Sequence, residues 1–187
     1  MMRYLVVGLG LALGACSNTV SGLTVGPPAA IQRAASASIG TVVATDQRKE
    51  EPHRLATVLG LFGNPAKTLD TPKPVKDEVA DAFIEGLRAR GLMAAGGPAP
   101  FRVALVVRRF DADVYAGRGA RIDLTLTVVN QAGATVYEDT AVDTEERGWK
   151  VFGGANINDL KELCEIVLAR TVNTMLDKPA FRAAVGA

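Results

Sequence analysis

Residues 121–145, RIDLTLTVVNQAGATVYEDTAVDTE, decide the fold. Ile122, Leu124, Leu126 and Val128 alternate with Arg121, Asp123, Thr125 and Thr127. A period of two puts every second side chain on the same face of an extended strand, so one face is apolar and the other polar. Asn130–Gly133, NQAG, is a short polar turn containing glycine, and Thr135–Glu145 returns as a second strand, so the stretch reads as a β-hairpin. Upstream, Phe101, Val103, Leu105 and Val107 alternate with Arg102, Ala104, Val106 and Arg108 in FRVALVVRRF (residues 101–110). That predicts a third strand, joined to the hairpin through YAGRGA (residues 115–120).

Working outward, the period changes from two to between three and four. Behind Lys73-Pro74, Val75, Val79, Phe83 and Leu87 recur every four residues beside Ala82 and Gly86, and Gly91 supplies a stop, so a helix with one apolar face is expected. Downstream, Leu160, Leu163, Cys164, Val167, Leu168, Thr171, Val172, Met175 and Leu176 form a longer stripe. Asn156 or Asn158 caps that helix, Asp159 lies in its first turn and Pro179 ends it. IGTVVATDQR (residues 39–48) is a β-branched run suited to a buried first strand. A long connection, Lys49–Pro74, follows it and carries Pro52, Pro65, Pro72 and Pro74. The order strand, helix, three strands, helix predicts one α+β domain over residues 38–187, with a mainly antiparallel sheet and two helices packed on one face, because each helix must bury its single apolar stripe.

The first sixteen residues follow another logic. One positive charge, Arg3, precedes the uncharged stretch YLVVGLGLAL (residues 4–13) and then small residues ending at Cys16. This is the layout of an export signal, and it is too short for a spanning helix, which needs about 20 apolar residues. Leu13-Gly14-Ala15-Cys16 resembles the bacterial lipobox. That resemblance implies removal of residues 1–15, lipid on Cys16 and anchorage to a membrane, and Ser17 after the cysteine implies the outer membrane rather than the inner one. Residues 16–37 are rich in Ser, Ala, Gly and Pro and are expected to be a flexible tether, with Leu23-Thr24-Val25 as a segment that could dock as an edge strand.

Charge excludes one large class. Losing Arg3 with the signal leaves 20 basic residues against 20 acidic ones. Binding to phosphate backbones rests on excess Lys and Arg, so a neutral chain with 5% aromatic residues argues against nucleic acid as a partner. Once Cys16 is acylated, Cys164 has no partner in the chain, and its place in the helical stripe makes it a small buried hydrophobe.

No set of residues spells a reaction. His53 is the only histidine and lies in the charged stretch KEEPHR, without partners for a zinc site or a triad. Asp111 and Asp113, with the cluster Asp143–Glu146, lack the spacing of a calcium loop, and the glycines around Trp149 lack the Lys-Ser/Thr of a phosphate loop. No catalytic residue, metal ligand or cofactor is therefore assigned. The alternative is an envelope hydrolase for a cell-wall or lipid substrate, using Asp111, Asp113 or Glu145. Asp46 and Arg48, at the end of the first strand, are placed to pair with each other or with the long connection. Two apolar stretches stand out, TVLGLFG (residues 57–63) and the surroundings of the single tryptophan. Leu59, Leu61, Phe62, Trp149 and Phe152 are the candidate residues for contact with an envelope protein, a cell-wall component or lipid.

The lipobox, a first strand ending in DQR, the helix closing at RARGL, the hairpin around NQAG and GWKVFGGANINDLKELCEIVLARTVNTMLDKPAF together resemble the YajG-like bacterial lipoproteins, over roughly residues 39–181. The resemblance implies location in the envelope and this fold; it implies no activity and no catalytic residue.

Overall fold

The computed structural model describes residues 16–26, 33–34, 36–59, 65–96, 98–114, 118–148 and 156–187. Its elements are β1 (Cys16–Thr19), β2 (Ile39–Asp46), β3 (Arg54–Leu59), β4 (Pro65–Asp70), α1 (Val75–Ala89), β5 (Phe101–Asp113), β6 (Arg118–Asn130), β7 (Thr135–Arg147), α2 (Ile157–Leu176) and the short α3 (Pro179–Ala184). The expected order is present as β2, α1, β5, β6, β7, α2 in a single α+β domain.

The described strands make one seven-stranded sheet in the order β1-β4-β3-β5-β6-β7, with β2 beside β5. One edge of β5 pairs antiparallel with β6 throughout. The other edge is shared: β2 runs parallel to Phe101–Val107, and β3 meets Ala112 in parallel. The register sets Val103 opposite Val128, Leu105 opposite Leu126 and Phe110 opposite Ile122, all completely buried or nearly so under the helices. The alternation slips between Val107 and Arg109, where a bulge turns Arg108 and Arg109 both outward before Phe110 re-enters the core.

Both long helices cover this apolar face. They approach closely at Gly86: a Cβ there would lie 2.7 Å from Val172 Cγ1 and 3.0 Å from Leu176 Cδ1. Arg90, the C-cap of α1, is fully buried. It donates to both carboxylate oxygens of Asp177 at 2.8 and 2.7 Å, to Asn173 Oδ1 at 3.1 Å and to the Gly86 carbonyl at 3.0 Å. One guanidinium thus ties the C-terminal turns of α1 and α2 together and satisfies a helix-end carbonyl. Gly91 follows with φ +70°, the left-handed conformation that ends the helix. Of the two expected caps of α2, Asn156 is the one used, its side chain accepting from the Asn158 backbone N–H at 3.1 Å.

The structure differs from the sequence expectation in two places. Within the long connection 49–74, β3 and β4 form an antiparallel hairpin with Leu55, Ala56 and Leu69 buried. The prolines lie outside or at the start of its strands, where the missing N–H costs nothing. Arg48 secures it: Nε and Nη2 donate to Asp46 at 3.0 and 2.9 Å, and the remaining donors reach the carbonyls of Pro52, Arg54 and Phe110 at 3.1, 2.7 and 3.2 Å. The expected Asp46–Arg48 pair therefore joins the end of β2 to β3 and to the β5 bulge.

The second difference is the start of the expected tether. β1 is a strand parallel to β4, and Val20 to Gly26 then cross the outside of the two helices. The Leu23 N–H donates to Glu78 on α1 at 3.1 Å, and the Thr24 N–H donates to Glu165 on α2 at 2.8 Å. Val20, Leu23 and Val25 pack against the core. Farther on, Ala34 N–H bonds the Arg90 carbonyl and Ser38 N–H the Leu92 carbonyl, leading the chain into β2. Small residues let the strap lie close: a Cβ on Gly22 would be 3.2 Å from the Glu78 carboxylate. The other face of the sheet carries no described helix, and Val43, Val136 and Val142 are exposed there or at the β7 edge.

Candidate functional site

The pairing pattern gathers one end of the sheet. Parallel pairing places Cys16 opposite Lys67, the third residue of β4. The antiparallel β3–β4 ladder puts Leu59 opposite Pro65 at the same end. Because β3 is parallel to β5, the C-terminal end of β5 points this way too, with Asp113 opposite Gly119, and Arg118 at the start of β6 faces Arg147 at the close of β7. The first turns of α2 join them, since Arg118 pairs with Asp159 and Arg147 with Glu162 at 2.8 Å. We call this the Cys16 end.

A cleft of about 450 Å³ opens there, lined by Arg109, Arg118, Arg121 and Arg147 with Asp113 and Glu146. Its guanidiniums are largely matched by nearby carboxylates. Arg109 makes a two-pronged pair with Asp111 at 2.8 and 3.0 Å, and Arg118 and Arg147 hold the α2 acids. Asp111 raises the affinity of Arg109 for its proton, as Glu162 does for Arg147. The cleft is a network of closed ion pairs rather than a bare cationic socket.

The acidic residues of the sequence reading are split. Asp111 and Asp113 lie on the face of β5 away from the helices. Asp143 and Glu145 stand opposite Ile122 and Ala120, on the helix side, where Arg170 of α2 donates to both at 2.6 to 2.8 Å. The strong pairing drives the Arg170 pKa upward. Lys178 likewise holds Asp139 at 2.7 Å. The sheet thus separates the two pairs of carboxylates. His53 is exposed, with Nδ1 2.9 Å from the Thr71 carbonyl, and so serves the turn that opens β3. Cys164 is buried, and loss of solvation pushes its thiol far above the ordinary range. Among the described residues no group of three or more His, Cys, Asp or Glu gathers around a common point.

Of the candidate contact residues, Leu59 is placed as the last residue of β3. Leu61, Phe62, Trp149 and Phe152 lie outside the described residues, as does the proposed signal, residues 1–15. Sequence reasoning did not reveal that Cys16, the β3–β4 hairpin and the start of α2 share one end, nor the roles of Arg48 and Arg90. The only local signal was an arginine next to a strand end or a helix stop.

Comparison with protein-family models and with curated proteins finds no match. Solved structures do match. A Xanthomonas campestris protein of family DUF330 is similar over 90% of this chain and 96% of its own, with a TM-score of 0.63 and 17% identity. A hypothetical protein of Chlamydia trachomatis matches 82% of this chain and all of its own, with a TM-score of 0.52 and 9% identity. These two share the fold. A minor lipoprotein of Acinetobacter baumannii also matches, over 78% of this chain and 93% of its own, at a TM-score of 0.35 and 12% identity.

Proposed function

We infer that this chain is a bacterial envelope lipoprotein, held on the outer membrane by acylated Cys16, whose periplasm-facing domain serves as a non-enzymatic binding or structural module. The observation that carries the reading is the run from Arg3 through the apolar stretch to Leu13-Gly14-Ala15-Cys16. The resemblance of the whole pattern to YajG-like lipoproteins supports it. The carboxylates that the hydrolase alternative would use support the non-enzymatic reading: Asp111 on one face of the sheet is engaged by Arg109, and Glu145 on the other, with Asp143, by Arg170.

The test has two arms. Native chain labelled with radioactive palmitate should carry label and fractionate with the outer membrane, and Cys16→Ala should be unlabelled and released; a Cys16→Ala chain that stays membrane-bound after loss of the signal sinks the anchor. For the binding role, a photo-crosslinker placed at exposed Val43 or Val142 in living cells should yield a discrete adduct. Hydrolysis of a cell-wall or lipid substrate by purified residues 16–187, abolished by Asp111→Asn or Glu145→Gln, would overturn the non-enzymatic reading.

A further inference from the structure

Strand β7 is the outermost strand on its side of the sheet, paired with β6 along one edge and with no described strand along the other. Two side-chain bonds show which of its backbone groups face that free edge. The Thr144 N–H donates to Asp143 Oδ1 at 2.8 Å, and the Thr144 carbonyl accepts from Arg170 Nη2 at 2.9 Å, so both point away from β6. Alternate residues of an antiparallel ladder face alternate edges, and the register runs without a shift from Tyr137 to Arg147, so Val142, Thr140 and Glu138 face the same way. The Thr125–Thr140 hydroxyl contact at 3.0 Å agrees, because side chains come closest across pairs that exchange no backbone bond. Among the described residues nothing bonds the outward N–H and C=O groups of Glu138, Thr140 and Val142. The usual closures of an edge are missing from this stretch: it holds no proline and no glycine, and the one register shift falls at Val136, near the start of the strand. At its other limit the sheet ends in β1, only four residues long.

We propose that the free edge of β7, from Val136 to Val142, takes up one extended, positively charged segment of an envelope protein as an added antiparallel strand. The proposal rests on the binding reading above and gives it a surface and a partner chemistry. Three observations select this occupant. A row of main-chain donors and acceptors is matched by another extended main chain, which engages each of them in turn. Val136 and Val142, 40% and 57% exposed, bracket Glu138 and Thr140, so a fitting strand presents apolar side chains toward its ends and a cation between them. The charge of the edge sets the sign. Asp139 is held by Lys178, and Asp143 and Glu145 by Arg170, but Glu138 has no ion pair among the described residues. β7 keeps five acids against Arg147, Arg170 and Lys178, so it attracts a basic strand and repels a second copy of itself. Arg170 on the Thr144 carbonyl marks where the pairing stops.

The probe is a synthetic peptide, Val-Thr-Thr-Thr-Lys-Thr-Val, whose lysine falls opposite Glu138 in the antiparallel register; a second peptide carries Glu in place of Lys. Each is added to acylated full-length protein in neutral detergent micelles, and amide hydrogen exchange is followed by NMR. At saturation the lysine peptide should slow exchange at Glu138, Thr140 and Val142 about tenfold and leave Asp139 and Ala141, which face β6, unchanged. It should bind about fivefold tighter than the glutamate peptide, and Glu138→Lys should reverse that order. Thr140→Pro removes an outward N–H while sparing the β6 ladder and should abolish the protection, with slow exchange in β5 and β6 showing that the variant is folded. A lysine peptide N-methylated at its middle residues applies the same test to the unaltered protein and should fail to protect. No protection of the three edge amides at millimolar peptide, or protection that survives N-methylation, overturns the proposal, and equal affinity of the two peptides overturns the basic partner. Acylated protein that sediments alone as a dimer with its edge amides already slow assigns the edge to a second copy and overturns it too. A discrete in-cell adduct from Val43, three strands away on β2, beside unprotected edge amides overturns the edge and leaves the binding role standing.

Discussion

Arg48 places all five of its donors, two on Asp46 and three on backbone carbonyls, in a site its side chain fills without exposure to water. Burial raises the Asp46 pKa, but the Arg48 hydrogen bonds and charge prevail and hold it below the ordinary carboxylate range. A carboxyl whose pKa is depressed by folding contributes stability above its unfolded value, about 3.9, and loses it as pH falls through that value toward the folded one. Chemical denaturation should therefore show stability dropping below about pH 4, and Asp46→Asn should flatten that drop. Arg48→Met strands three carbonyls and one carboxylate and should cost about 2–4 kcal/mol at pH 7, measured by urea unfolding. Cys164 gives a complementary expectation: native protein should resist iodoacetamide at pH 8 and react only when unfolded, because its buried thiol does not ionise in the accessible range.

At the scale of elements, the contact between α1 and α2 depends on the missing side chain at Gly86. Gly86→Val would force a methyl group into Val172 and Leu176, and calorimetry should record a loss of about 2–3 kcal/mol despite a better helix former. Strands β5 and β6 and both helices were legible because their apolar periods are set by one local fact each, a pleat or a helical turn. β7 was legible as a strand but not as the limit of the core: its helix-facing row is Tyr137, Asp139, Ala141, Asp143 and Glu145, and the acids are met by Arg170 of α2 and by Lys178, just ahead of α3. The β3–β4 hairpin was illegible because prolines punctuate the connection, and what ties it to β5, the Arg48 bond to the Phe110 carbonyl and the bridge from Ala56 to Ala112, acts between residues far apart in sequence. The β5 bulge was hidden for the same reason, since Arg108-Arg109 reads as an ordinary polar step until Phe110 is seen buried.

At the scale of the whole molecule, the N-terminal strap is the feature that composition concealed most fully. Its small residues have no period, and its partners are a strand and two helices far along the chain. Replacing Glu78 and Glu165 by Ala removes the acceptors for the Leu23 and Thr24 amides. Each hydrogen bond is worth about 1 kcal/mol, so hydrogen exchange at these two amides should quicken about fivefold while exchange in β5 and β6 stays slow. The candidate site was visible only as separate apolar stretches around Leu59 and Trp149; that Leu59, at the end of β3, lies at the same end as Cys16 depends on the pairing of β4 with both β1 and β3, which no local pattern encodes.

The strap also sets an order of events. Its Thr24 hydrogen bond closes over 141 residues, to a helix near the far end of the chain. A chain that leaves the cytoplasm N-terminus first exposes Cys16 and β1 long before β4, α1 or α2 has crossed. On the lipoprotein reading, the modifying enzymes therefore meet an unpaired, extended segment, and the same residues become a strand only after the lipid is in place. On that reading maturation and folding compete for one stretch of backbone, and the long sequence separation of its partners favours maturation.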